Sequence, residues 1–279
     1  MSPHVKLDRR GFLAASYAAL GAGLIAASTT TSAHHLPFEQ NAPEPSLDNR
    51  KIQTFRLASC NSYLLRQGKT AVLIDTGAAE SAEQLDALMQ ESGFDPRQLS
   101  AILVTHANRS HAGGARYFRA RYGTPILGSA RDLYACGRDY GDSFCPTDLL
   151  AQSRAVEGRT FPYDTLVPDL LITERTELDK ALGLDAEISV LPGHAEGSLL
   201  IAVGEVAFVG DLFFQESLHD ATAKTALAPY REPSRGGGAR QDIERLVSEL
   251  APRAQQFLPG HFGALSRDQV YAILEQRLA

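Results

Sequence analysis

The chain has 279 residues, of which 44% are hydrophobic and 22% charged, with a formal net charge of −6. That composition excludes a disordered or fibrous chain and supplies enough apolar side chains for one sizeable core. An acidic balance with no basic stripe argues against nucleic acid as a partner.

The first 33 residues read as an export leader. Lys6, Arg9 and Arg10 precede an apolar stretch from Phe12 to Ala27 and the small residues Ser28 to Ala33, with cleavage expected after Ala33. The stretch is too short and too rich in Ala and Gly for a membrane span, so no stable membrane insertion is expected after cleavage; an uncleaved anchor is the alternative. Asp8-Arg9-Arg10-Gly11-Phe12-Leu13 resembles a twin-arginine signal, with Asp8 where Ser or Thr is usual and Ala14 where Lys is common. The resemblance implies folding before export and the bacterial periplasm as destination. Loss of three basic residues and one acidic residue moves the net charge from −6 to −8.

Residues 34–50 are Pro- and Asn-rich and read as an arm, leaving 51–279 as one domain. Ile52 to Ala58, Ser62 to Leu65 and Ala71 to Ile74 predict antiparallel strands, the last two joined at Gln67-Gly68-Lys69. Leu85, Leu88 and Met89 mark a helix over Ser81 to Ser92, closed by Gly93. Ala101 to Val104 predicts a strand, 113–122 a helix stopping at Gly123, 125–128 a strand and 130–136 a short helix. Gly137 to Thr165 lacks periodicity and reads as a binding loop or a surface excursion. Strands follow at 166–172, 176–178, 186–190, 199–203 and 206–209, with Gly204-Glu205 as a hairpin turn. A helix is predicted over 239–250, a strand over 256–258 and a closing helix over 267–278. Strands grouped before helices, twice over, predict two sheets between helical layers.

Of three cysteines, Cys136 and Cys145 flank a short loop and suit either a disulfide or two thiols; Cys60 reads as a buried small apolar residue. Eight histidines occur, three of them (His4, His34, His35) in the leader or arm. Of the others, His106, His111, His194 and His261 follow directly on predicted strands, and Leu191-Pro192-Gly193-His194 and Leu258-Pro259-Gly260-His261 share one frame. Phe208-Val209-Gly210-Asp211 places a carboxylate at an equivalent turn. Neutral imidazole is the commonest metal ligand, and strand ends are where such sheets place their ligands. The stretch Thr105 to Gly114 also admits a plain reading as a helix-capping loop with Ser110 as N-cap. His219 suits either a pocket wall or the surface, and Tyr230, Arg231 and Gly236 to Gly238 suit a mobile rim.

These motifs resemble the metallo-β-lactamase superfamily from about Ile52 to Ala279. The family's Thr-His-x-His-x-Asp-His-x-Gly-Gly stands here as Thr105 to Gly114, followed by Pro-Gly-His194, Gly-Asp211 and Pro-Gly-His261, with Asp75 at the family's early supporting aspartate. The resemblance implies an α/β fold, an αββα sandwich of two mixed β-sheets flanked by helices. It further implies zinc, one or two ions, held by His106, His111, His194, Asp211 and His261, with Asp211 between the two positions. Two residues depart: Asn108 stands where the family has histidine, and Ser110 where it has the aspartate that handles a proton. Asn108 is then a weak ligand and Ser110 a poor catalytic replacement. The expected activity is hydrolysis of a lactam, lactone, thioester or other ester by metal-activated water. The alternatives are a single-iron oxidoreductase acting on a sulfur compound and a catalytically silent accessory protein.

Overall fold

Ala71 to Ile74, Ala101 to Val104 and Leu199 to Ile201 are apolar at every position. A strand tolerates that pattern when both of its faces are buried, because successive side chains point to opposite sides. The computed structural model describes residues 50–132, 166–215 and 239–275, with the strand segments Val5–Lys6, Ser46–Leu47, Cys145–Pro146, Thr225–Leu227 and Tyr230–Arg231. In it Val72, Ile74, Ala101, Leu103, Leu199 and Ile201 join a central core, together with Phe208 and Leu258. Their neighbours Leu73 and Ile102 turn to a second core and Leu200 to a third.

The central core lies between two seven-stranded sheets. The N-terminal sheet runs in the order Ser46–Leu47, Arg50–Arg56, Asn61–Gln67, Thr70–Ile74, Ala101–Leu103, Ile126–Ser129, Leu170–Ile172. It is antiparallel up to Thr70–Ile74 and parallel beyond. The C-terminal sheet runs Val5–Lys6, Thr176–Glu177, Glu187–Val190, Leu199–Val203, Val206–Gly210, Gln256–Pro259, Leu265–Ser266, and it too is mixed. Helices Ala82–Glu91 and Ala115–Tyr122 cover the outer face of the first sheet through Leu85, Met89 and Phe118. Ala239–Arg245 and Arg267–Glu275 cover the second through Ile243, Val270 and Leu274. This is the αββα sandwich expected from the resemblance. Among the described residues no helix is long and apolar enough to cross a membrane.

Several local expectations change. The helix expected from Gly113 is preceded by a turn of helix at Arg109–Ala112, whose N-cap is Asn108 and not Ser110. Asn108 has extended backbone, and its carbonyl accepts from the His111 and Ala112 amides at 2.9 Å each. The strand expected over 166–172 shrinks to Leu170–Ile172, since Pro168 has no N–H to donate to a ladder. The end of the expected arm joins the sheet, with Ser46 and Leu47 opposite Lys51 and Arg50. Asp179–Leu182 forms a helical turn in the stretch between two expected strands, where no element was expected, capped by Gly183 at φ 68°. The helix over 239–250 changes winding at Leu246, where Leu246–Leu250 forms a π-turn that brings Leu246, Val247 and Leu250 inward. The expected helix at 130–136 lies outside the described residues beyond Asp132. Most of the 137–165 insertion does too, apart from Cys145–Pro146, which pairs with Tyr230–Arg231.

The layering ranks substitutions. Ile201 is fully buried between the sheets, whereas Val167 is 60% exposed. Ile201→Ala is expected to cost about 2–5 kcal/mol in urea unfolding and Val167→Ala less than about 0.5 kcal/mol; equal losses would contradict the two-sided burial.

Candidate metal centre

Each expected ligand leaves the end of a strand toward one rim. Thr70–Ile74 and Ala101–Leu103 run parallel and lead to Asp75 and, three residues on, to His106. Glu187–Val190, Val206–Gly210 and Gln256–Pro259 run in a common direction and lead to His194, Asp211 and His261. His111 is added by the helical turn after His106. The structure therefore brings together residues that the sequence separates by more than 150 positions.

Asp211 sits among four imidazoles. Its Oδ2 lies 3.3 Å from His261 Nε2, 3.8 Å from His194 Nε2 and 3.9 Å from His106 Nε2, and its Oδ1 lies 3.3 Å from His111 Nε2. His106, His111, His194 and Asp211 are buried, while the His261 side chain keeps 16% of its exposure. The Nε2 atoms of His106 and His111 and Oδ1 of Asp211 are buried without a well-formed hydrogen bond. Such atoms cost about 1–3 kcal/mol each when left unsatisfied. A cation answers all three at once: donor atoms bound at about 2.0–2.1 Å to a tetrahedral ion stand roughly 3.3 Å apart. His106, His111 and Asp211 offer ligand atoms within 4.8 Å of one another, a group able to hold a metal ion.

The electrostatics agree with a cation site. Burial drives the His106 pKa well below its ordinary value, and the neighbouring His111 and His194 push the same way, so this imidazole is neutral. Burial alone would raise the Asp211 pKa, but His261 and His111 hold it well below the carboxylate range. Burial pulls His111 down, yet Asp211 and Asp75 together push it up to about 10. A metal ion at His111 Nε2 competes with that proton.

The supporting contacts explain the rigid placement. Asp75 accepts from the Thr105 amide (2.8 Å), the Thr105 hydroxyl (2.7 Å) and His111 Nδ1 (2.8 Å), which leaves His111 Nε2 facing Asp211. Asp75 stands at φ 58°, a left-handed conformation that non-glycine residues seldom adopt and that concentrates at functional sites. A Cβ at Gly260 would collide with His111 Cε1 and Asp211 Oδ1, so only glycine lets this turn close over the site.

Sequence reasoning missed three supporting residues. Asp132 accepts from the Ala107 amide at 3.0 Å and fixes the turn between His106 and Asn108. Asn61 and Tyr63 reach Pro259 across 198 and 196 positions. No spacing signal links such distant residues; the one available hint was polar side chains inside an otherwise buried strand.

Asn108 Nδ2 lies 3.4 Å from His194 Nε2, so residue 108 faces the cluster, and a half-turn of its amide presents oxygen there instead. The Ser110 hydroxyl makes no hydrogen bond among the described residues. Cys60 is buried, as expected, and burial followed by Asp75 and Asp211 raises its thiol pKa. His219, Gly236 to Gly238 and the Cys136 side of the expected cysteine pair lie outside the described residues.

A family model described as the metallo-beta-lactamase superfamily matches residues 56–251. The chain is 30% identical over 149 residues to the hydroxyacylglutathione hydrolase GloC of Haemophilus influenzae, covering 53% of this chain and 63% of that protein. The chain spans less than two thirds of the length of the curated relatives it matches. Among solved structures, a metallo-beta-lactamase family protein from Thermus thermophilus superposes with a TM-score of 0.57 at 19% identity, over 83% of this chain and 80% of that one. A Cronobacter sakazakii metallo-beta-lactamase described by its HARLDQ motif gives a TM-score of 0.52 at 17% identity, over 76% and 77% of the two chains. These two likenesses concern the fold. With a family model spanning well over half of its length on an αββα sandwich, the chain belongs to the metallo-beta-lactamase superfamily.

Proposed function

We propose that the protein is an exported zinc-dependent hydrolase of a small carbonyl substrate, with a site weakened by Asn108 and Ser110. The ligands are His106, His111, His194, Asp211 and His261, with Asn108 as a weak contributor. The observation that carries this reading is the buried Asp211 carboxylate ringed by four imidazoles, with His106 Nε2, His111 Nε2 and Asp211 Oδ1 lacking a well-formed hydrogen bond. Imidazole and carboxylate donors suit zinc and leave room for a water or substrate. Among lactams, lactones, thioesters and other esters, a thioester is favoured by the 30% identity to a protein named hydroxyacylglutathione hydrolase. Export rests on the sequence of residues 1–33.

When bound, the ion polarises a carbonyl and provides a water of near-neutral pKa. The protein's own contribution is positional. Asp75 holds the proton of His111 at Nδ1 and keeps Nε2 aimed inward. Burial keeps His106 neutral, and Asp211 stays ionised beside His261 and His111. At position 110 a hydroxyl replaces the carboxylate, and a serine cannot take up a proton near neutral pH, so this chain lacks the usual proton carrier there. The same two substitutions favour a second reading, a metal-binding accessory protein without turnover.

Metal analysis of natively exported protein is expected to give one or two zinc ions per chain, and chelation to abolish thioester hydrolysis. Less than about a tenth of an equivalent of any metal would sink the reading, because a built site retains its ion through purification. One iron in place of zinc would favour the oxidoreductase alternative. Restoring the motif with Asn108→His and Ser110→Asp is expected to raise kcat/KM on a thioester panel by about 10²–10⁴. Native turnover equal to that of the restored protein would show that neither substitution impairs the site. Replacing Arg9 and Arg10 with lysine is expected to retain the protein in the cytoplasm, and a mature N-terminus at His34 is expected for the unaltered chain.

A further inference from the structure

His261 differs from the other imidazoles around Asp211. Its side chain keeps 16% of its exposure, against 0% for His106 and His111 and 1% for His194. Burial holds it less than it holds the others, so its direction depends more on the backbone of residues 259–262.

That backbone is gripped from the opposite sheet. The Asn61 amide N–H donates to the Gly260 carbonyl at 2.7 Å. Asn61 Nδ2 donates to the Pro259 carbonyl at 3.1 Å and to the Phe262 carbonyl at 2.8 Å, and the Tyr63 hydroxyl donates to the Pro259 carbonyl at 2.5 Å. Three carbonyls flanking His261 are thus held by two side chains and one amide, all from the strand Asn61–Gln67. Asn61 and Tyr63 are only 4% and 3% exposed, Asn61 Nδ2 also contacts the Tyr63 hydroxyl at 3.1 Å, and the Tyr63 ring packs edge-on against Phe208 at 5.3 Å. The grip also holds Phe262 at φ 63°, a conformation a bulky residue does not keep unless its surroundings impose it. On the far side the Gly260 amide donates to the Gly210 carbonyl at 2.7 Å, next to Asp211. Neither Asn61 nor Tyr63 touches a metal-binding atom.

We infer that Asn61 and Tyr63 form a carbonyl clamp that positions His261 toward Asp211, making them positioning residues for metal capture. The inference rests on the metal-centre reading proposed above. Removing the clamp frees the 259–262 turn while leaving every ligand in the chain. Loss of supporting contacts of this kind lowers metal affinity by about 10–100-fold. Tyr63→Phe keeps the packing against Phe208 and removes one bond to the turn, so its loss is the smaller; Asn61→Ala removes the two bonds from the Asn61 side chain to the turn and leaves that of Tyr63.

The test is a cycle of Asn61→Ala, His261→Ala and the double variant in the full-length protein, with Tyr63→Phe as the variant that keeps the core intact. Zinc affinity is measured by competition with a chromophoric chelator, and the coordination of cobalt(II) by its visible absorption. Asn61→Ala is expected to weaken zinc binding about 10–100-fold in the otherwise native chain and to add no further loss once His261 is alanine. Its cobalt spectrum is expected to shift toward that of His261→Ala. An equal loss in both backgrounds would overturn the clamp, because the effect would not pass through His261. A second arm needs no metal: in chelator-treated protein, carbethoxylation of His261 by diethyl pyrocarbonate, followed by peptide mass mapping, is expected to speed up several-fold in Asn61→Ala and less in Tyr63→Phe. An unchanged rate overturns the inference whatever the metal result. Failure of the unaltered protein to bind zinc or cobalt, with the carbethoxylation effect present, would instead overturn the metal-centre reading and leave the clamp standing.

Discussion

A buried ionised carboxylate is the constraint on which the rest of this structure depends. Asp211 is almost wholly removed from water, and a charge in that position is stable only when countercharge and donors surround it. Four imidazoles supply that surrounding, yet they do so incompletely, because two Nε2 atoms and one carboxylate oxygen are left without a hydrogen bond. A cluster so arranged is poor as a closed hydrogen-bond network and well suited to a cation. Its cost to stability is borne by the three apolar cores.

The sandwich makes that concentration of polar groups possible. Strands buried on both faces fix their own positions by packing, so the turns that leave their ends need not contribute to the core and are free to carry polar side chains. The proposed ligands come from both sheets, and their relative placement is then a matter of how the sheets are tied together at the rim. Asp75 ties the Thr105 turn to His111 within one half, and Asn61 and Tyr63 tie that half to the turn carrying His261 in the other. The glycine at 260 completes the arrangement by allowing backbone to lie directly over His111 and Asp211.

Asn108 and Ser110 take a different place in this scheme. Asn108 caps the helical turn through its carbonyl and points its amide at His194, so the position still faces the cluster although its chemistry is weaker than imidazole. Ser110 sits on the same turn with no partner of its own among the described residues. In the function proposed above, the framework for holding an ion is kept, while serine stands where the proton-moving carboxylate would be.

Much of this was legible in the chain itself. Strand ends were visible as apolar runs stopping at His106, His194, Asp211 and His261, because a buried strand has a short-range signature and a ligand turn follows it immediately. The motif implied a supporting place for Asp75, which accepts from Thr105 and His111 in the fold. Tertiary structure alone decided that Asn108 rather than Ser110 caps the turn, that Asp132 braces Ala107, and that Asn61 and Tyr63 hold the carbonyls around His261. Those contacts join residues up to 201 positions apart, through backbone carbonyls that every residue possesses, and a group common to all residues leaves no trace in the sequence.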